Sequence, residues 1–297
     1  MIDWETIFQR WSQGPGKTEQ EKCDRAVTAI KKAIASDPTL SGRSVSTFPQ
    51  GSYRNRTNVR QDSDVDVCIC CKDVFYADYP EGTDKATFGN ASSDYTVQIF
   101  KNQVENALVN YFGRAAVRRG DKAFDINENT YRVDADAVPT FEHRRYYLNQ
   151  GGGSGYHEGV ELRPDSGGKI INWPQQVYDN GVDKHSNTGR RYKKVIRILK
   201  NLRNSMQQDQ VAGADDIASF LIECLAWNVP NHYFGNPTLT EDVKKTFAYL
   251  IDNLKDWDNC KEWGEVNELK YLFRTSQPWT REKAFNFVCA CWRYLGF

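Results

Sequence analysis

Apolar and polar positions alternate with period two in two short stretches of the chain, and much of the remainder repeats at helical spacing. Ser44-Val45-Ser46-Thr47-Phe48 is a β-branched run leading into Gly51-Ser52, which predicts a strand, a sharp turn and the start of a short helix. Asp64-Val65-Asp66-Val67 alternates strictly and continues through Cys68, Cys70 and Cys71. Tyr131-Arg132-Val133-Asp134-Ala135-Asp136-Ala137-Val138-Pro139 repeats the pattern and ends at a proline. In each strand the carboxylates share one face and the apolar residues turn to the other, against a core. Asp62 has the parity of Asp64 and Asp66, but Ser63 follows it, so it is expected to lie before the strand. Val117 and residues 123–126 predict strands ahead of the Asp136 strand, and 160–162 with 169–172 predict a hairpin. Residues 74–93 show no clear period and are expected to form a loop.

Helical spacing predicts the rest. Thr18-Glu19-Gln20-Glu21 has the form of a capping box, opening a helix with Cys23, Val27, Ile30 and Ile34 on one stripe and Pro38 as its stop. It is expected to pack across the sheet. A second helix over 96–112 carries Phe100, Val104, Leu108 and Tyr111 on its apolar face. From about residue 181 the pattern turns helical, with segments near 190–208, 217–228, 241–257 and 280–295. The expected fold class is α+β: a mixed-sheet palm with helices on one side over 1–180, and an all-helical lobe over 181–297. The helix expected from Thr188 has a core stripe of Tyr192, Val195, Ile196, Leu199 and Leu202. Its other face carries Arg190, Lys193, Arg197 and Lys200. That face is either a solvated basic surface or one from which Lys193 or Lys194 reaches an anion across the cleft between lobes. Arg60, just ahead of the carboxylates, has the same ambiguity.

Charge narrows the choice of partner. The chain has 297 residues with 39 Lys and Arg against 39 Asp and Glu. A protein built to hold long nucleic acid is usually basic, so the balance favours small nucleotides over a template. No apolar run approaches a membrane span and no signal peptide opens the chain, so a soluble cytoplasmic protein is expected. The eight cysteines lack paired Cys-x-x-Cys spacing, and only four histidines could complete a zinc site, so buried reduced thiols are expected. Gln150-Gly151-Gly152-Gly153-Ser154-Gly155 lacks the Gly-Lys-Ser/Thr ending of a P-loop and reads as a hairpin tip. Tyr233 or Phe234 could stack on a base, but ordinary packing is the expected role.

The candidate chemistry lies at the first two strands. Gly51 lets the backbone approach a ligand, and Ser52 adds a hydroxyl beside the bare N–H groups of a helix end, which together make a phosphate cradle. Asp64 and Asp66 repel each other unless a cation lies between them. A phosphate cradle beside a divalent-metal pair is what phosphoryl or nucleotidyl transfer requires. A third carboxylate is expected from Asp134 or Asp136, and the alternation leaves both open.

Gly51-Ser52, Asp64-Val65-Asp66-Val67 and Asp136-Ala137-Val138-Pro139 together resemble the polymerase-β-like nucleotidyltransferase superfamily, and within it the bacterial cGAS/DncV-like nucleotidyltransferases. Asn172-Trp173-Pro174, Thr188-Gly189-Arg190-Arg191-Tyr192-Lys193, Ser219-Phe220-Leu221-Ile222-Glu223 and Asn228-Val229-Pro230-Asn231 extend the resemblance to about Phe234. It implies a two-lobed enzyme that joins ribonucleoside triphosphates (ATP, GTP or UTP) into a cyclic oligonucleotide second messenger. It selects Asp136, three residues before Pro139, as the third ligand. Asp64, Asp66 and Asp136 would hold two Mg²⁺ ions, with Mn²⁺ able to substitute, while Gln50, Gly51, Ser52, Lys193 and Lys194 would bind the triphosphate. It further implies antiphage signalling through a separate effector protein, no template and a monomeric enzyme. An antibiotic- or protein-modifying nucleotidyltransferase shares the Gly-Ser and Asp-x-Asp core, but the helical lobe with Asn228-Val229-Pro230-Asn231 argues against it. A catalytically inactive nucleotide or RNA sensor would be expected to lose a carboxylate, and all three are present.

Overall fold

The structure is a computed structural model that describes residues 2–60, 64–151 and 153–297, so Asp62 lies outside the described residues. The chain divides into two compact units: Gly16–Arg54 with Asp64–Gln175, and Met1–Pro15, Asn55–Ser63 and Gln176–Phe297. A division at 180/181 was expected; the units part at 175/176, and the first helix, α1 (Trp4–Trp11), groups with the helical unit. Its apolar stripe explains why. Phe8 is fully buried in the helical core, and Glu5 accepts hydrogen bonds from the N–H groups of Leu239 and Thr240 at 3.2 and 2.8 Å. A carboxylate at that helix start satisfies orphan donors and faces the positive end of the dipole.

The sheet unit contains α2 (Lys17–Ser36), β1 (Val45–Pro49), α3 (Gly51–Asn55), β2 (Val65–Asp78), α4 (Val97–Phe112), β3 (Val117–Arg119), β4 (Phe124–Ile126), β5 (Ala135–Leu148), β6 (Ser154–Leu162) and β7 (Ile170–Asn172). The strand order is β1-β2-β5-β4-β3, and β6 pairs with the far half of β5 and with β7. β2 and β5 run parallel, while their other neighbours are antiparallel, so the sheet is mixed as expected. Period two divides its faces. Val65, Val67, Ile69, Ala135, Ala137, Phe124 and Ile126 are buried with Ile30 and Ile34 of α2 and Phe100, Val104 and Leu108 of α4. Asp66, Asp136 and Asp125 therefore project from the opposite face.

Three local expectations change. α2 starts at Lys17 after an extended Gly16 whose place offers no side-chain cap, so Thr18 sits within the first turn and is no capping residue. Residues 74–78, expected in a loop, extend β2; a register shift between Cys71 and Phe75 breaks the alternation that would have revealed them. Tyr111 is exposed, and Ala107 takes its place on the buried face of α4. All eight cysteines are free thiols, seven of them buried.

The helical unit adds α5 (Pro174–Asn187, of which 176–187 belong to it), α6 (Tyr192–Gln208), α7 (Ser219–Trp227), α8 (Leu239–Leu254), α9 (Trp257–Cys260) and α10 (Arg281–Leu295). α6 starts at Tyr192 rather than Thr188, because Gly189 and Arg190 adopt positive φ (58° and 63°) and break the chain between α5 and α6. Tyr192, Val195, Ile196, Leu199 and Leu202 are buried, as the stripe requires. The basic face is solvated only at Arg190, which is exposed ahead of the helix; Lys193 and Lys200 are buried and Arg197 is half-buried. Lys200 is 2% exposed and its ammonium is 2.6 Å from Glu223, which also accepts from the buried Thr57 hydroxyl at 2.7 Å. Arg197 spends its guanidinium on the carbonyls of Ser12 and Arg56, both at 2.6 Å. Among the described residues no helix is long and apolar enough to cross a membrane.

Removing one member of a buried ion pair strands the other in low dielectric, at a cost of about 3–5 kcal/mol. Lys200→Ala is expected to lose that much in urea unfolding, and Lys200→Met with Glu223→Gln to recover most of it.

Candidate active site

The site on the sheet unit begins with a close backbone approach. Pro49 pairs with Val67, and the Gln50 N–H donates to the Asp66 carbonyl at 2.9 Å, bringing the chain against β2 just before it turns. Gly51 then adopts φ +66°, and a Cβ there would lie 2.2 Å from Asp66 Oδ2. Only glycine fits: the conformation disfavours a side chain, and the space belongs to the carboxylate. Ser52 follows in the first turn of α3, half-buried like Gln50.

The carboxylates meet through strand pairing. Asp66 is the direct partner of Asp136 in the parallel β2–β5 ladder, and Asp125 is the direct partner of Asp136 in the antiparallel β4–β5 ladder. Arg118 on β3 pairs with Asp125 in turn. Four charged residues thus stand abreast on one face, Asp66, Asp136, Asp125 and Arg118, one per strand at spacings of about 4.8 Å. Asp64, exposed, lies one residue before β2. An open cleft of about 320 Å³ is lined by Asp64, Arg118, Asp125, Asn127, Asp134 and Asp136 among others.

This crowding shows in the acidities. Burial, then the charges of Asp136 and Asp64, push the Asp66 carboxyl up to about 6. Burial, then Asp125 and Asp64, push Asp136 up to about 6 as well. Among the described residues, no cation offsets the charge at Asp66 and Asp136. Arg118 meets only the outer end of the row, donating to Asp125 Oδ2 from Nε at 2.7 Å and from Nη2.

Asp134 and Asp136 differ in their surroundings. Asp134 precedes β5, is exposed, and accepts the Glu128 N–H. Arg132, a conceivable partner for it, lies over the Phe112 ring at 4.7 Å and donates to the Asn127 carbonyl at 2.9 Å. Asp136 sits inside the strand with a carboxylate on either side.

Lys193 and Lys194 belong to the helical unit. Lys193 is 5% exposed, its ammonium 5.8 Å from the centre of the Tyr178 ring and in no hydrogen bond or ion pair among the described residues. Burial lowers its pKa. His185 accepts the Lys193 N–H at 3.2 Å and is pushed down to about 4 by burial and by the charges of Lys193, Arg197, Arg190 and Lys194. A cationic cluster surrounds that histidine, with the Glu223 charge the one anion acting on Lys193 among the described residues. Arg60 instead donates to the Gly14 carbonyl at 3.1 Å, Phe234 is buried against Tyr192, and Tyr233 packs on Tyr249.

Asp125 and Arg118 were not anticipated. The alternation of 124–126 marked a strand, but only the ladder reveals that Asp125 faces Asp136.

Fold and site both have the form of a nucleotidyltransferase palm. The helical lobe confirms the class: residues 179–296 match the cGAS/DncV-like nucleotidyltransferase C-terminal helical domain. The chain is 43% identical to the cyclic dipyrimidine nucleotide synthase CdnE of Legionella pneumophila, over 99% of this chain and 98% of that protein. It is 41% identical to the protein of the same name from Cecembia lonarensis, over 97% and 96%. The structure of the Rhodothermus marinus CdnE c-UMP-AMP synthase with Apcpp and Upnpp superposes with a TM-score of 0.84 at 30% identity, covering 99% of this chain and 97% of that one. The chain belongs to the cGAS/DncV-like nucleotidyltransferase family.

The acidities set a pH dependence. Both carboxyls have folded pKa values near 6 against 3.8 for the free group, so their ionisation opposes folding. The stability they leave intact below pH 4 is lost as pH rises through 6. Asp66→Asn removes one charge from the row. In metal-free buffer it is expected to raise Tm at pH 7.5, by about 2–4 °C per kcal/mol of relieved repulsion, and to leave Tm unchanged at pH 4.

Proposed function

We infer that the protein joins two ribonucleoside triphosphates into a cyclic dinucleotide, with pyrimidine nucleotides as its preferred substrates. The observation that carries the chemistry is the Asp66–Asp136 cross-strand pair, both carboxyls raised to about 6, beside a glycine turn with no room for a side chain. The pyrimidine preference rests on the two relatives at 43% and 41% identity, both named for dipyrimidine products.

The residues fit a divalent metal. Among the described residues no three His, Cys, Asp or Glu side chains gather closely enough to hold an ion alone. Mg²⁺ in nucleotide enzymes seldom needs that, taking one or two carboxylates with substrate phosphates and water completing its shell. Asp64, Asp66 and Asp136 would hold two Mg²⁺, or Mn²⁺ in their place. When bound, the ions would neutralise the triphosphate and acidify the acceptor hydroxyl.

The chain's own groups do the rest. Gln50 and the Gly51 and Ser52 N–H groups, with the Ser52 hydroxyl, hold the donor's β- and γ-phosphates. The family resemblance gives Lys193 and Lys194 of the helical unit a triphosphate-binding role; the buried Lys193 ammonium makes no ion pair among the described residues. Asp136 orients the acceptor hydroxyl, whose oxygen attacks the α-phosphorus. The bond to the β-phosphate breaks, pyrophosphate leaves and the hydroxyl proton passes to solvent. A second transfer, in which a hydroxyl of the first nucleotide attacks the α-phosphorus of the second and a second pyrophosphate leaves, closes the ring. The family supports a cytoplasmic, monomeric, template-free enzyme whose ring acts on a separate effector in antiphage signalling.

The test is incubation with CTP, UTP, ATP and GTP and Mg²⁺, phosphatase treatment and mass spectrometry. A phosphatase-resistant ring of two pyrimidine nucleotides is expected, formed from CTP and UTP alone. Phosphatase-sensitive chains would overturn cyclisation, and an absolute need for a purine would overturn the base preference. Asp136→Ala is expected to lose about a hundredfold or more in rate, and Asp134→Ala to stay within about tenfold of the parent. The reverse order would move the third ligand by two residues.

A further inference from the structure

The charged row does not end at Asp136. Asp125 stands directly opposite it on β4. Like charges facing each other across a ladder destabilise a sheet. β4 has three residues, and Phe124 and Ile126 already supply its buried face. A threonine or valine at 125 would stabilise this short strand better. The Arg118 pairing does not offset the repulsion, because the Arg118 side chain is 80% exposed and such pairs contribute little in water. Stability therefore gives no reason for a carboxylate here.

Position does. Both Arg118 contacts fall on Asp125 Oδ2, so the guanidinium anchors that one oxygen on the outer side and leaves Oδ1 free of it. Both residues line the same cleft as Asp136 and Asp64, on the side of β5 away from Gly51. A carboxylate clamped on its outer side and set against the next one restricts how that neighbour turns. Groups behind a metal ligand commonly act this way, and their loss costs roughly 10–100-fold in metal affinity.

We propose that Asp125, clamped by Arg118, is a positioning residue that holds the Asp136 carboxylate toward the metal. The role rests on Asp66 and Asp136 being the metal-holding pair. In this role Asp125 acts through Asp136 rather than on the donor triphosphate. Asp125→Ala should therefore weaken metal binding and lower kcat while leaving the KM for the donor unchanged. Arg118→Ala should do the same to a smaller degree, by freeing Asp125 to turn away.

The test is Mn²⁺ binding to the full chain, followed by electron paramagnetic resonance with a non-hydrolysable nucleotide analogue present, alongside Tm in metal-free buffer. Asp125→Ala is expected to raise the Mn²⁺ dissociation constant about tenfold with no loss in Tm. Adding Arg118→Ala should cost nothing further, since the clamp has nothing left to hold. Asp125→Asn, with the shape of the native side chain, provides the same measurement if the alanine variant folds poorly. Mn²⁺ affinity within twofold of the parent in both Asp125 variants, with binding lost in Asp66→Asn, would overturn the positioning role alone. Unchanged Mn²⁺ affinity in Asp66→Asn would overturn the metal-holding pair itself. Additive losses from Arg118→Ala and Asp125→Ala would overturn the clamp.

Discussion

Parallel pairing of β2 with β5 is the constraint on which the rest of this protein depends. It fixes Asp66 beside Asp136 at the spacing of neighbouring strands, closer than two carboxylates rest comfortably outside bulk water. The backbone ladder and the apolar face beneath hold them there regardless of their repulsion. Val65, Val67, Ala135 and Ala137 are buried against α2 and α4, and a one-residue slip of either strand would expose that set. The core therefore enforces the register, and the register enforces the charge pair.

The same logic reaches outward along the sheet. β4 places Asp125 on the next rung and β3 places Arg118 after it, so among the described residues negative charge accumulates at the centre of the row and is met by a cation at its end. On the other side, Gly51 gives up its side-chain volume to Asp66 and turns the backbone at positive φ, leaving a helix start beside the carboxylates. Electrostatic strain and a tight turn are both concentrated in a few residues of an otherwise regular sheet. Such concentration is characteristic of sites that bind a charged ligand.

In the helical unit burial separates two kinds of basic residue that look alike in sequence. Lys200 and Arg197 are used up internally, one on Glu223 and the other on two carbonyls, and they serve the fold. Lys193 is equally buried but faces an aromatic ring, near cations that depress His185. A charge held so costs free energy unless an anion arrives. That cost sets Lys193 apart from its neighbours on the same helix face.

The sequence by itself determined the strands that carry the acids, because period two is a local property and each of Val65, Val67, Ala135 and Ala137 had to face a core. It determined the glycine turn, the amphipathic helices and the change to an all-helical half, since each is encoded within a few neighbouring residues. The family motifs point to Asp136 rather than Asp134 as the expected third ligand, a choice that alternation leaves open. The tertiary structure decided what depends on partners distant in the chain. The extension of β2 beyond its bulge, the transfer of α1 to the helical unit and the burial of Lys200 all follow from contacts that leave no local period. Asp125 is the clearest case. Its strand was legible, but a strand does not specify its neighbour, and only the ladder brings that carboxylate to Asp136.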